Sequence, residues 1–331
     1  MKTLQLDAQQ ARAAFARLAA DFRMIAPVVR DGRGRFSDTD VVLYDEIDGF
    51  EQIEYDRKSY FSAKDALLPI RETLFEFPEG RTEATELTPE PTLLFLRACD
   101  IHALRVLDAH FLETGNVADV YYQRRREVVR VVLMECPTPF PSCFCVSMRT
   151  NHPGHYDAFL RRQGDGYIAG VADEALASYF PEGTASDAVV LFPTQDPAPL
   201  SVPDEVDDSV FGAPMWKDYT RRCIACGRCN VCCPTCTCFT MRDLPSPESP
   251  EEGCRRRLWS ACQVKKFGLL AGDHDFRIPE GDRMRYRVLH KIRDFRKRTG
   301  FNMCVGCGRC DDVCPEYISM RTCVEKINEC C

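Results

Sequence analysis

Two short segments carry cysteines at a spacing suited to inorganic iron–sulfur clusters. Residues 223–234 (the first array) read CIACGRCNVCCP, and residues 304–315 (the second array) read CVGCGRCDDVCP. Both fit C-x2-C-x2-C-x3-C-P, the ferredoxin run that binds [4Fe–4S] clusters. Three thiolates two residues apart can wrap a tight loop around one face of a cubane, with the backbone amides pointing at the sulfurs. The sequence therefore predicts two [4Fe–4S] clusters.

The ligand sets follow from a rule for two-cluster ferredoxins, in which the fourth cysteine of each run ligates the other cluster. The first predicted set is Cys223, Cys226, Cys229 and Cys314. The second predicted set is Cys304, Cys307, Cys310 and Cys233. Cys232 competes with Cys233, but Pro234 and the register of the second array favour Cys233 and leave Cys232 as a packed thiol. The alternative is a pair of zinc sites, although zinc usually takes two well-separated C-x2-C pairs.

One arginine stands between the second and third cysteines of each array, as Arg228 and Arg309. A positive charge there would favour the reduced cluster and raise its potential. Alternatively, both side chains face solvent.

The other cysteines form less regular groups. Cys99 and Cys136 each follow an apolar run, and ligands of open α/β sheets gather beyond the carboxyl ends of strands. With Cys143 and Cys145 they could hold a third [4Fe–4S] cluster or a zinc ion, or all four could be buried thiols. An additional metal site is conceivable at Cys236, Cys238, Cys254 and Cys262. We interpret three further cysteines as incidental: Cys323, Cys330 and Cys331.

The elements that must position these residues fall into two parts. The 331 residues suffice for about two domains, and 16 of the 20 cysteines follow residue 210. We expect a mixed α/β domain over 1–195, a Pro/Asp-rich linker over 196–212 and a mainly helical ferredoxin-like domain over 213–331. The predicted strands are Val41–Tyr44, Thr92–Leu96, Val128–Met134 and Ala188–Phe192, and the predicted helices are 8–23, Asp100–Phe111 and Val120–Glu127.

Residues 283–298 form a basic amphipathic segment with a local charge of +7 in a chain of net charge −7. Met284, Val288, Ile292 and Phe295 line one helical face, which predicts core packing. The basic face is either a solvated surface or a docking patch for an acidic partner subunit.

Several function classes lack their signals. The sequence contains no G-x-G-x-x-G, no phosphate-binding P-loop, no G-x-S-x-G and no H-E-x-x-H motif, so no catalytic constellation is expected. An acidic balance gives no reason to expect nucleic-acid binding. No run is long enough for a transmembrane helix, and no apolar signal-peptide core precedes the first helix. We therefore expect a cytoplasmic protein whose cysteines are not disulfide-bonded.

Between residues 20 and 322 the chain closely resembles the iron–sulfur subunit of anaerobic sulfite reductase. The runs that carry the resemblance are FSDTDVVLY, FSAKDALLPIRETLFEF, LRACDIHAL, VLMEC, CFCVSM, RCIACGRCN, CPTCTCFTM, LHKIRDFRKR and CVGCGRCDDVCPEYIS. The wider group includes the beta subunits of sulfhydrogenases.

The resemblance implies an electron carrier in a three-subunit cytoplasmic complex. A flavin-containing subunit would take electrons from NADH, and a sirohaem subunit would reduce sulfite to sulfide. The eight cysteines of the two predicted ligand sets would hold the clusters that carry electrons from the flavin subunit to the sirohaem subunit. Two alternatives stay open: the beta subunit of a sulfhydrogenase, and a chain with its own catalytic cluster at Cys99, Cys136, Cys143 and Cys145.

Overall fold

Two β-sheets organise the computed structural model, which describes residues 2–330 without 35, 37, 181, 182, 250 and 251. Within that part of the chain, one sheet has eight strands in the order β10-β1-β9-β8-β7-β6-β2-β3. Its strands are β1 Lys2–Leu6, β2 Arg23–Arg30, β3 Val41–Glu46, β6 Thr92–Leu96, β7 Val129–Met134, β8 Ala158–Gln163, β9 Gly166–Val171 and β10 Thr184–Ala185. The other has the order β11-β12-β4-β5, formed by β4 Arg71–Phe77, β5 Glu83–Ala84, β11 Phe239–Pro245 and β12 Gly253–Trp259.

The helices are mostly short. They are α1 Ala8–Asp21, α2 Ala98–Asp108, α3 Val120–Glu127, α4 Glu174–Ala177, α5 Trp216–Arg222, α6 Arg228–Val231, α7 Glu280–Leu289, α8 Phe295–Thr299, α9 Arg309–Asp312 and α10 Met320–Cys330. One π-helical turn follows α2 and another joins α7 to α8, at Ala109–Glu113 and His290–Asp294. In the described residues, none of these helices is long and apolar enough to cross a membrane.

The centre of the larger sheet is parallel. Strands β2, β6, β7 and β8 run side by side in the same direction, and the flanking pairs are antiparallel. Helix α1 packs on one face of this sheet and α2 on the other, so that each face has its own apolar core. The parallel order places the carboxyl ends of β6 and β7 next to each other. This confirms the prediction of a mixed α/β fold for the N-terminal part.

Sequence features explain where the first helix lies. The side chain of Asp7 accepts hydrogen bonds from the amides of Gln9 and Gln10 and so caps α1, while the Gln10 side chain accepts a hydrogen bond from the amide of Asp7. This reciprocal pair is a capping box, which satisfies amides that the first helical turn leaves free.

The predicted strand Ala188–Phe192 is wrong. These residues form no strand, because two side chains, one just after β7 and one in β8, form hydrogen bonds with backbone groups that a neighbouring strand would otherwise bind. The carboxylate of Glu135 accepts the amide of Leu191, and the guanidinium of Arg161 donates to the carbonyl of Val189.

The C-terminal part is less helical than predicted. Strands β11 and β12 form an antiparallel hairpin between the two arrays, and β12 also pairs with β4 of the N-terminal part. The smaller sheet is therefore shared by the two parts of the chain.

The Pro/Asp-rich segment 196–212 is an extended strap that lies on the basic segment 283–298. Its Leu200, Val206 and Val210 are buried in the same apolar core as Val288. The segment ends in a 3-10 turn at Asp208–Gly212.

Candidate metal centres

The two arrays have the same backbone conformation. Gly227 and Gly308 adopt left-handed φ values of 75° and 69°, and each precedes a four-residue helix, α6 or α9. Two residues earlier, Ala225 and Gly306 are also left-handed, at 56° and 64°. Ala225 accepts this conformation despite its β-carbon, at a cost of roughly 1–2 kcal/mol. The sequence repeat is therefore a structural repeat, with the short helices packed on each other.

The first predicted ligand set lines a single cavity. Cys223, Cys226, Cys229 and Cys314 all lie on its wall. Cys314 reaches this cavity from the second array, as the crossed pairing requires. Cys310, predicted for the other set, also lies on its wall.

The second predicted set is buried more deeply. Burial raises the pKa of Cys304 to about 12 and that of Cys307 to about 11, and the nearby thiolate of Cys233 contributes in the same direction. Burial likewise raises the pKa of Cys310, with a contribution from Cys233. The charge of Cys233 therefore acts on all three second-array cysteines of its set, although at Cys310 the contribution of Cys232 is larger. The neighbouring Cys232 is fully buried, and its thiol donates to the carbonyl of Cys229 at 3.7 Å.

Two buried cations of the basic segment lie beside these sulfurs. Arg287 lines the first cavity, donates to the carbonyl of Cys229 at 3.2 Å, and has a buried Nε without a partner in the described residues. The Nζ of Lys291 donates to Thr235 Oγ1 at 2.9 Å and to Cys233 Sγ at 3.4 Å. Burial lowers the pKa of Lys291, but the thiolates of Cys233 and Cys236 outweigh it and raise that pKa overall.

Sequence reasoning missed these two cations. It interpreted the basic residues of 283–298 as a solvated or docking face. Arg287 and Lys291 are one helical turn apart and could have been recognised as a pair, although nothing in the pattern shows which side faces a cluster. Two other basic residues bind the strap: Arg293 pairs with Asp208, and Arg296 pairs with Asp204. Of the basic face, Lys297 and Arg298 remain exposed.

The matching arginines of the two arrays have different surroundings. Arg228 is exposed, whereas Arg309 is only 2% exposed. Arg309 binds both carboxylate oxygens of Asp100, at 2.6 and 2.8 Å, and also the hydroxyl of Ser59. The solvent-facing alternative therefore applies to Arg228 but is wrong for Arg309.

The four N-terminal cysteines lie together although they are far apart in sequence. Cys99, Cys136, Cys143 and Cys145 line one cavity, which we call the N-terminal cysteine cavity. Cys307 of the second array is also on its wall.

Three cysteines of the irregular group surround Asn230. Its amide nitrogen lies 3.1 Å from the sulfur of Cys262, 3.6 Å from that of Cys236 and 3.9 Å from that of Cys238. Cys254 lies instead in β12, opposite Leu244 and Glu76, because the register of the hairpin places it there.

Two of the three cysteines interpreted as incidental, Cys323 and Cys330, lie outside these groups. Cys323 is buried and its thiol donates to the hydroxyl of Tyr219 at 3.1 Å, while Cys330 is exposed at the end of α10. Cys331 lies outside the described residues. Within those residues, no group of three or more His, Cys, Asp or Glu side chains converges closely enough to hold a single metal ion.

Comparison with known proteins supports iron–sulfur chemistry. Residues 222–318, which contain both arrays, match the family described as 4Fe-4S dicluster domain. The C-terminal part of the chain therefore carries a domain of the [4Fe–4S] class. Over its whole length, the chain is 29% identical to Sulfhydrogenase 2 subunit beta of Pyrococcus furiosus, across 351 residues that cover 99% of each chain.

Proposed function

We propose that this chain is the electron-carrying iron–sulfur subunit of a larger oxidoreductase complex. One [4Fe–4S] cluster is held by Cys223, Cys226, Cys229 and Cys314, and the other by Cys304, Cys307, Cys310 and Cys233. The observation that carries the proposal is the crossing of the two arrays: Cys314 lies on the cavity of the first, and Lys291 joins Cys233 to the second, because its Nζ lies 3.4 Å from the Cys233 sulfur and its carbonyl accepts the amide of Cys304 at 3.3 Å.

The residues present suit an anionic cluster. The unpartnered Nε of Arg287 is a buried donor, in the described residues, on the wall of the first cavity, and Lys291 is a buried cation against Cys233. These charges offset the negative charge of thiolate ligands in a site of low dielectric constant. A bound cluster supplies storage for single electrons, which can divide the two-electron input of a flavin into single steps.

The exposure of the arrays indicates where a partner approaches. Cys226 is exposed and its neighbour Ile224 is 59% exposed, whereas Cys304 and Cys307 are buried. We infer that a partner exchanges electrons at the edge of the first array. The cluster of the second array then exchanges electrons with the cluster of the first array inside the protein.

Two complexes are candidates for this chain. We propose first a cytoplasmic anaerobic sulfite reductase, because the chain resembles the iron–sulfur subunit of that enzyme between residues 20 and 322. Its partners would be an NADH-oxidising flavin subunit together with a sirohaem subunit. The second candidate is a sulfhydrogenase, favoured by the full-length similarity to a sulfhydrogenase beta subunit.

Anaerobic isolation of the tagged full chain from its own cells tests both candidates. We expect the co-purifying proteins to include a flavoprotein and a second protein with the visible spectrum of sirohaem, and the complex to reduce sulfite. Nickel in the complex, together with hydrogen oxidation, would establish the second candidate instead.

The carrier role has a separate test. The isolated chain should be brown and reducible by dithionite, yet should not turn over sulfite with a reduced dye. Sulfite turnover by the chain alone would mean that it has its own catalytic cluster, and a colourless chain without iron would refute the proposal.

A further inference from the structure

Four cysteines distant in sequence converge at the carboxyl edge of the parallel strands. Cys99 follows β6 as the second residue of α2, and Cys136 follows β7, the neighbouring parallel strand. Cys143 and Cys145 belong to the turn that comes after Cys136, residues 142–145, which we call the CFC turn. All four line the N-terminal cysteine cavity.

The first cavity provides an internal reference for the donors that line this space. It lies inside the matched dicluster domain and is lined by the first predicted ligand set together with Cys310. The N-terminal cysteine cavity is lined in the same way, by its four cysteines together with Cys307. A space lined by the same donors suits the same kind of cluster.

The charges around the cavity suit an anion. Lys58 and Arg97 both lie on its wall. The ammonium of Lys58 pairs with Asp312 at 2.6 Å and lies 3.9 Å from the sulfur of Cys143, and the hydrogen bonds of the buried Arg97 go to the carbonyls of Tyr55 and Arg57. Cys99 is near the amino end of α2, where the helix dipole favours negative charge.

The CFC turn is docked directly on the second array. The amide of Phe144 donates to the carbonyl of Gly306 at 2.8 Å, and the thiol of Cys143 donates to the carbonyl of Cys307 at 3.5 Å. Cys307 lines the N-terminal cysteine cavity although it belongs to the second predicted ligand set. Cys307 therefore lies between the N-terminal cysteine cavity and the predicted cluster of the second array.

We propose that Cys99, Cys136, Cys143 and Cys145 hold a third [4Fe–4S] cluster that exchanges single electrons with the cluster of the second array. In each exchange one cluster is oxidised by one electron as the other is reduced by one, and the ligands stay unchanged. This inference rests on the proposed function and extends it, because the third site would place a redox centre within the N-terminal α/β part.

Iron and acid-labile sulfide analysis of the full chain, purified and reconstituted without oxygen, tests the proposal. We expect about 12 irons and about 12 sulfides per chain, since each cubane holds four of each. The double variant Cys136→Ala/Cys143→Ala should retain about 8 irons and keep the paramagnetic signals of the other two clusters. If the double variant does not fold, Cys136→Ser replaces it, because that substitution changes only one half-buried residue. This variant should lose or alter the paramagnetic signal of the third cluster.

Two matched controls locate the third cluster. Cys323→Ala removes a buried thiol that contacts Tyr219, and Cys238→Ala removes a sulfur from the group around Asn230. Both should keep the wild-type iron content. About 8 irons in the wild-type chain, or loss of four from Cys238→Ala and none from Cys136→Ala/Cys143→Ala, would overturn the assignment. So would about one zinc with about 8 irons. Absence of iron altogether would instead refute the proposed function.

Discussion

The first and second arrays share a sequence pattern and a backbone conformation but not an environment. Cys226 and Arg228 of the first array are exposed, whereas their counterparts Cys307 and Arg309 are buried. The difference comes from the N-terminal part, which covers the second array with the CFC turn and with Asp100. A cysteine motif thus defines the ligands, while the cover decides exposure and charge, which tune a cluster's potential.

The largest expected effect concerns the matched arginines. Arg309→Leu would leave Asp100 as a buried, uncompensated carboxylate, and breaking a buried pair in this way costs about 3–5 kcal/mol. Arg228→Leu changes an exposed side chain and should alter stability by no more than about 0.5 kcal/mol. Anaerobic thermal unfolding of the two holoprotein variants measures the difference.

A second variant separates the charge from the packing. Asp100→Asn combined with Arg309→Leu should recover part of the lost stability, because no buried charge remains unpaired. Equal unfolding temperatures for Arg309→Leu and Arg228→Leu would show that the cover over the second array is not as tight as the structure indicates.

An intermediate effect is expected for the matched glycines. Alanine at position 227 or 308 must adopt a left-handed φ, which costs roughly 1–2 kcal/mol in either array. A β-carbon at Gly308 would also lie 2.4 Å from the carbonyl oxygen of Ser142, whereas at Gly227 it would lie 3.0 Å from the side chains of Ala261 and Val264. Backbone moves less easily than side-chain ends, so Gly308→Ala should cost about 1–3 kcal/mol more than Gly227→Ala.

Anaerobic thermal unfolding and iron content together check the glycine pair. We expect Gly308→Ala to unfold at the lower temperature and to lose iron first from the clusters next to the CFC turn. If Gly227→Ala lowered the unfolding temperature and the iron content as much as Gly308→Ala or more, close contact with the CFC turn would not distinguish the two arrays.

The smallest effect concerns the cations. Lys291→Met removes a buried charge beside Cys233. At an effective dielectric constant of 20, a unit charge about 6 Å from a cluster changes its reduction potential by roughly 100 mV for a one-electron step. The potential of the second cluster should therefore fall by about this amount or less. Arg228→Met, the control, removes a solvated charge whose field is largely screened. Redox titration followed by electron paramagnetic resonance compares the variants, and equal shifts would contradict the importance of burial.

Local sequence patterns predicted three helices of the N-terminal part, α1, α2 and α3, and three of its strands, β3, β6 and β7, but not its other strands. The expected helix Val120–Glu127 and strand Thr92–Leu96 have those bounds in the structure. Ala188–Phe192 had a suitable β-rich composition, but Glu135 and Arg161 bind its backbone groups. That competition comes from a distant part of the chain, so no local pattern could reveal it.

The candidate ligands were easier to predict than their surroundings. Fixed spacing named the eight array cysteines, and the structure places the first predicted set, together with Cys310, on one cavity. The partner of Arg309 depends on how the two parts of the chain pack, and the direction of Lys291 depends on packing within the C-terminal part, because neither Asp100 nor Cys233 is a sequence neighbour. Cys254 failed as a group member because the register of a hairpin, rather than cysteine spacing, sets its position.

The shared smaller sheet has a consequence for biosynthesis. During translation, β4 emerges long before β12, its partner in the pairing of Phe77 with Gly253. At elongation rates of about 5–20 residues per second, β4 waits roughly ten seconds or more with one edge open. Such an edge invites wrong pairing with other nascent chains, so we expect recovery of folded protein to depend on chaperones and on the growth temperature.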